Sequence, residues 1–251
     1  MTPDELLKST AHRPWPTPAK PWVMTQTWNH LLFAHWPLPV EALRPLVPVQ
    51  LPLDSFNGQC WVGVTPFRIS NLRMRGLPPL AFASNFLELN VRTYVTLESK
   101  PGVFFLSLDA ASLAAVWGAR IFYRLPYYHA AMRANVSGED IVYQSRRIRS
   151  PHGNSAEFAA SYRPLSDLRS SARGSLEYFL TERYCLYSVS SRGRLYRAEI
   201  HHLPWPLQPA SAEISRDTIA QAAGIRLPDV APLLHFAKKL VVLVWAPQRL
   251  A

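Results

Sequence analysis

Runs of strand length recur along this chain from Trp22 to Trp245, and prolines keep falling between them. Proline has no backbone N–H and a fixed φ, so it continues neither a helix interior nor a central sheet ladder. With 23 prolines against 10 glycines in 251 residues, long helices are excluded over most of the chain. What remains is short strands joined by stiff turns. The runs are Trp22–Trp36, Cys60–Arg68, Leu87–Glu98, Val103–Asp109, Tyr127–Val136, Ile141–Ile148, Ala156–Tyr162, Tyr184–Ser190, Leu195–His201, Ala210–Ser215 and two apolar strands ending in Leu240–Trp245. Ser99-Lys100-Pro101-Gly102 and Ser190-Ser191-Arg192-Gly193 carry hairpin-turn chemistry. Helical spacing is confined to a proline-started segment in Leu38–Leu46, to Gly174–Thr181, to Thr218–Ala223 and to Ala111–Tyr123. In the last of these, Leu113, Val116, Trp117 and Ile121 form the apolar stripe and Pro126 is the stop. The pattern predicts a mostly β (α+β) chain built on a single large antiparallel sheet, closed or nearly closed into a barrel, with a few short helices. Pro3, Pro14, Pro16, Pro18 and Pro21 mark residues 1–20 as a loosely held proline-rich arm, leaving residues 21–251 as a single domain.

A hydrophobic fraction of 48% supplies a sizeable core and argues against disorder. No apolar run reaches the length of a membrane span, and no basic-then-apolar leader follows Met1, so a membrane partner is not expected. Cys60 and Cys185 are the two cysteines, and a reduced pair in a cytoplasmic protein is expected. The net charge of +10 raises nucleic acid as a partner. The arginines behind it are spread along Ile69–Arg75, Tyr143–Arg149 and Arg192–Arg197 without a reading motif, which disfavours nucleic acid. Their densest cluster, Ser145-Arg146-Arg147-Ile148-Arg149, suits an edge strand guarded by charge. Glycine-rich nucleotide loops and hydrolase elbows are missing. The spacings of His30 with His35 and of His201 with His202 do not suit a metal, so neither metal nor cofactor is expected.

Candidate chemistry concentrates on two strands. In Phe86–Tyr94, alternation puts Glu88, Asn90, Arg92 and Tyr94 on one face, opposite Leu89, Val91 and Thr93. A carboxylate, amide, guanidinium and phenol in one row make a poor core, so this face looks either at solvent or at a polar pocket, and the pocket is preferred. Arg92 either pairs with Glu88 or clamps a substrate carboxylate with its planar fork. On Tyr196–His202, Glu199 and His201 share a face, either as an oriented acid–base pair or as an outer arginine–glutamate pairing with Arg197.

Two segments carry a resemblance to a known superfamily. Phe86-Leu87-Glu88-Leu89-Asn90-Val91-Arg92-Thr93-Tyr94 and Arg120-Ile121-Phe122-Tyr123-Arg124-Leu125-Pro126-Tyr127-Tyr128 resemble the active-site framework of the acetoacetate decarboxylase superfamily. Leu31-Leu32-Phe33-Ala34-His35-Trp36-Pro37 and Pro204-Trp205-Pro206-Leu207-Gln208-Pro209 are similar to the YqjF-like, or DUF2071, branch. The resemblance implies an acetoacetate decarboxylase-like barrel over residues 22–247, with Glu88 as the tuning glutamate and Arg120 as the arginine of the second segment. It also implies a Schiff-base lysine after the proline, where this chain has Tyr127 and Tyr128. A phenol forms no imine, and Lys238 and Lys239 read as exposed charge, so decarboxylation through an imine is disfavoured. The reading is therefore a pocket for a small keto or hydroxy acid. Glu88, Tyr127 and His201 are its candidate catalytic residues, and Arg92, Asn90, Tyr94, Arg120 and Tyr128 its candidate binding residues. An enzyme using Glu, His and Tyr acid–base chemistry on a carbonyl compound, and a basic surface for an anionic polymer, are the alternatives. Self-association is left open.

Overall fold

A computed structural model of the chain describes residues 2–80, 83–148 and 155–250. Its strands are β1 (Met24–Leu38), β2 (Cys60–Met74), β3 (Phe86–Leu97), β4 (Lys100–Ala110), β5 (Tyr127–Ser137), β6 (Asp140–Arg147), β7 (Glu157–Pro164), β8 (Cys185–Val189), β9 (Leu195–His201), β10 (Leu207–Asp217), β11 (Leu233–Val244) and β12 (Gln248–Arg249). The helices are short: α1 (Pro3–Lys8), α2 (Val40–Leu43), α3 (Leu113–Gly118), α4 (Leu176–Thr181) and α5 (Ile219–Ala222). The mostly-β expectation holds, and all the strands belong to one ring-like sheet.

The sheet branches. Strands β4, β3, β2, β1 and β11 form a common wall. On one side β8 and β9 link β4 back to β11, and on the other β10, β7, β6 and β5 make the same return. Two ring-like circuits therefore share the wall. β4 serves both, pairing with β8 at Val103 and Phe104 and with β5 from Leu108 to Ala110. Both of these pairings are parallel, which departs from the all-antiparallel expectation. Parallel neighbours need a crossover rather than a tight turn, and the β4–β5 connection supplies one as α3 plus a π-helical turn over Ala119–Tyr123.

Local chemistry explains several further differences. The β3–β4 turn is Glu98-Ser99, both at positive φ, with Leu97 paired to Lys100. That is the primed geometry that matches strand twist, so Pro101 and Gly102 lie inside β4 instead of forming the turn. Gly102 is needed there because a Cβ would stand 2.7 Å from Cys185 Sγ and 2.8 Å from its carbonyl oxygen. The C-terminal apolar run is one strand, β11, paired along nearly all of β1, and not two. β6 lies between β5 and β7 and is no edge. Its alternation sends Arg147 inward, where it holds Asp109 at 2.7 Å and Ser107 Oγ at 2.6 Å, while Arg149 lies outside the described residues.

The N-terminal arm is also not loose. Thr2 and Glu5 form a capping box on α1, and Leu6 is buried against Leu243 and Trp245. Arg13 reaches Glu199 at 3.1 Å and the Ile200 carbonyl at 2.6 Å. Apolar and charged anchors together hold what proline content alone suggested would be free. Of the stripe expected on α3, only Val116 is buried, and Leu113, Trp117 and Ile121 face outward. Among the described residues no helix is long and apolar enough to cross a membrane.

The wall's two faces differ in chemistry. Leu32, Ala34, Val62, Val64, Leu87, Leu89 and Val91 pack against Tyr143, Phe158, Tyr162 and α5 as an apolar core inside the larger circuit. The opposite face looks into the smaller circuit and carries the polar row.

Candidate functional site

Register builds this inward face from several strands. In the β2–β3 ladder Phe67, Thr65 and Gly63 oppose Glu88, Asn90 and Arg92, and in the β1 ladders Gly63 opposes His35 while His235 opposes Phe33. Paired residues point the same way, so all of these side chains share one surface. Gly63 leaves the room for the imidazole, since a Cβ there would lie 2.9 Å from His35 Cδ2. Glu88, Asn90, Arg92 and Tyr94 are all buried, which settles the face against solvent.

Glu88 and Tyr127 meet at one end of the row. The Tyr127 hydroxyl donates to Glu88 Oε2 at 2.7 Å. Burial pushes the Glu88 carboxyl up to about 7, against the smaller opposing pull of its hydrogen bonds with Tyr127 and Asn90. Burial, then the neighbouring Glu88, holds the Tyr127 phenol well above its ordinary value. A carboxyl near neutrality beside a protonated phenol can pass or accept a proton.

Arg92 and Tyr94 occupy the other end. Tyr94 donates its hydroxyl proton to the Leu180 carbonyl at 2.8 Å and lies 2.6 Å from His35 Nε2. With its own proton engaged, Tyr94 accepts from His35 Nε2–H, which leaves His35 Nδ1 as the imidazole's acceptor. Burial, reinforced by Arg92 and His235, keeps His35 neutral, well below its usual pKa. The Arg92 guanidinium stands 5.0 Å from the Phe33 ring centroid, and among the described residues its hydrogen bond is a long 3.4 Å contact to the Leu180 carbonyl. No ion pair with Glu88 or any other carboxylate forms at Arg92 among the described residues.

Buried side-chain polar atoms without a partner are rare in folded proteins. Seven of the eleven among the described residues lie on or against this face: His35 Nδ1, Trp61 Nε1, Thr65 Oγ1, Asn90 Oδ1, Arg92 Nε, Trp205 Nε1 and His235 Nδ1. Trp205 packs edge-on to Phe33 at 4.8 Å. Such a concentration of unspent donors and acceptors around a guanidinium is suited to a small polar ligand.

Other candidates stand elsewhere. Tyr128 points away from Glu88 and lies under the Arg147 guanidinium at 3.8 Å. Arg120 is exposed and donates to the Tyr127 carbonyl at 2.7 Å, supporting the backbone rather than the cluster. His201 faces the N-terminal arm, its Nε2 2.9 Å from the Leu6 carbonyl, and burial lowers it to about 4. Glu199 does not orient it, because that carboxylate is taken by Arg13, Trp15 and Lys100. Alternation along β9 turns His202 inward in its place, stacked on Tyr184 at 4.7 Å. Lys8, Lys20, Lys238 and Lys239 are exposed and Lys100 is held by Glu199. A surface groove of about 970 Å³ lies where β4 forks, lined in part by Phe104, Leu106, Arg120 and Arg124, and none of Glu88, Asn90, Arg92, Tyr94 and Tyr127 lines it. No group of three or more metal-ligating side chains is found among the described residues.

Residues 25–241 match the family model DUF2071, described as an uncharacterized conserved protein. YqjF of Bacillus subtilis strain 168, described as uncharacterized, is 51% identical over 224 residues, 89% of this chain and 91% of that protein. Among solved structures, an acetoacetate decarboxylase from Legionella pneumophila superposes with a TM-score of 0.61 at 15% identity, covering 96% of this chain and 93% of that one. The enduracididine biosynthesis enzyme MppR complexed with pyruvate gives 0.61 at 10% identity, covering 95% and 93%. An acetoacetate decarboxylase-like enzyme from Sphingomonas wittichii RW1 gives 0.62 at 13%, covering 95% and 97%. At such identities the likeness is one of fold.

Proposed function

The chain belongs to the DUF2071 family on an acetoacetate decarboxylase-like fold, and from that premise we propose that the inward face of β3 binds a small keto or hydroxy acid whose carboxylate is held by Arg92. The observation that carries this is the buried Arg92 guanidinium, with Nε unpaired and, among the described residues, no carboxylate in an ion pair with it. An uncompensated buried charge is penalised by several kcal/mol, and a ligand carboxylate would relieve that penalty. The indole N–H groups of Trp61 and Trp205 offer further donors for ligand oxygens. A fold neighbour with pyruvate bound supports the size and class of ligand.

A second reading rests on Glu88 and Tyr127. With its carboxyl near 7 and a phenol donating to it, Glu88 would move a proton next to a bound carbonyl. An imine route has no support from the placement of the lysines.

Calorimetric titration with pyruvate, acetoacetate and lactate tests the binding reading. At least one acid is expected to bind, and Arg92→Ala is expected to weaken it by about thirtyfold, the equivalent of one charged hydrogen bond at about 2 kcal/mol. Equal affinity of wild type and Arg92→Ala would show that Arg92 is no clamp. Deuterium exchange into the pyruvate methyl group, followed by NMR, tests the second reading, and exchange that persists in Glu88→Gln would rule out Glu88 as the base.

A further inference from the structure

The apolar stripe of α3 lies on the outside of the molecule. Leu113 is 51% exposed, Trp117 55%, Ile121 62% and Phe122 68%. Leu113, Trp117 and Ile121 recur every four residues, so they form one continuous face running from α3 into the π-helical turn. Val116 is buried on the opposite side and, with the half-buried Ala115, Ala119 and Tyr123, fixes the segment to the ring. Exposed aromatic and aliphatic side chains in a single stripe mark an interaction surface.

Charge indicates what this surface meets. Arg120 and Arg124 sit within the same segment, and no acidic residue occurs between Asp109 and Glu139. The β2–β3 connection leaves the same end of the ring, since Glu88 at the start of β3 pairs with Ala110 at the end of β4. With the last residues of β2 it adds exposed Met74 and Leu77 with Arg73 and Arg75, and the chain holds no acidic residue between Asp54 and Glu88. A two-fold contact between copies would bring these arginines against one another with no carboxylate to absorb the charge. An anionic partner with an apolar interior satisfies both features, and a Trp, Phe, Ile and Arg face is the composition of segments that lie in a bilayer interface.

We propose that the Leu113–Arg124 segment docks the protein on an anionic phospholipid surface, with Trp117, Ile121 and Phe122 entering the interface and Arg120 and Arg124 on the headgroups. Lying on a membrane needs no span, so it is consistent with this that no helix among the described residues is long and apolar enough to cross one. The surface is separate from the inward face of β3.

Sedimentation of the full chain with vesicles is the test. Wild type is expected to sediment with vesicles of equal parts phosphatidylglycerol and phosphatidylcholine, less so as salt rises, and not with phosphatidylcholine alone. The Trp117→Asn, Phe122→Ser double variant is expected to lose at least tenfold in vesicle affinity. Arg120→Gln and Arg124→Gln should each weaken binding about fivefold, with a shallower salt dependence. Melting temperatures of all variants establish that they remain folded, as expected for the exposed Trp117, Arg120 and Phe122 and the half-buried Arg124. The proposal is overturned if wild type ignores anionic vesicles, if it binds neutral and anionic vesicles alike, or if the folded double variant binds as wild type does. It is also overturned if wild type is a dimer that the double variant converts to a monomer, because the stripe would then cover a second copy.

Discussion

Glu88 and His202 pull stability in opposite directions with pH. Burial raises the Glu88 carboxyl to about 7 from an ordinary 4.5, so the folded chain keeps a proton that the unfolded chain gives up. Stability from this group is therefore complete below about pH 4.5 and is lost as pH rises through 7, by on the order of a few kcal/mol. His202 is buried and lowered to about 4 from 6.5, so the unfolded chain takes up a proton that the folded chain refuses, and stability falls as pH drops through that window. Denaturant unfolding across pH 4 to 9 checks both expectations. Glu88→Gln should flatten the loss on the alkaline side and be more stable than wild type at pH 8. An equal difference between the two proteins at pH 4.5 and pH 8 would show that Glu88 does not carry the titration. At this scale the sequence was half legible. Period two alone put Glu88, Asn90, Arg92 and Tyr94 on one face. His35, His235 and Trp205 join them through cross-strand register and a loop, which no local spacing encodes. The same alternation left open which side of β9 turns inward, and His202 rather than His201 does so.

At the scale of elements, the N-terminal arm shows how anchors override composition. Its prolines prevent a long helix, as the sequence implied, but Leu6, Arg13 and Trp15 fasten it across β9. Arg13 is buried in contact with Glu199, and removing one partner of a buried pair leaves the other uncompensated. Arg13→Ala is expected to destabilise the fold by about 2 kcal/mol or more, tempered by Lys100, which also holds Glu199. Chemical denaturation measures it, and an unchanged midpoint would mean that the arm is fastened by Leu6 and Trp15 without Arg13. The α3 stripe was legible as amphipathic, but amphipathicity does not state which side is wet. With so short an element capping the ring end, buried Val116 and the half-buried Ala115, Ala119 and Tyr123 sufficed to fix it.

Across the whole molecule, the ring-like, strand-rich architecture could be read from proline spacing and alternating runs, because these exclude almost everything else. The fork could not be read. A strand that pairs with β8 in its first half and β5 in its second has the same sequence signature as one with a single neighbour. That fork lets one wall serve two circuits, each with its own apolar core, and the inner face of the smaller one also carries the buried polar row. The role proposed for this inner face is to take a small acid on Arg92. A crystal structure of the complex with pyruvate, or whichever acid titrates most tightly, tests it directly. The ligand carboxylate is expected within hydrogen-bonding distance of the Arg92 guanidinium. A ligand held in the groove beside Arg120 and Arg124, with Arg92 untouched, would contradict it.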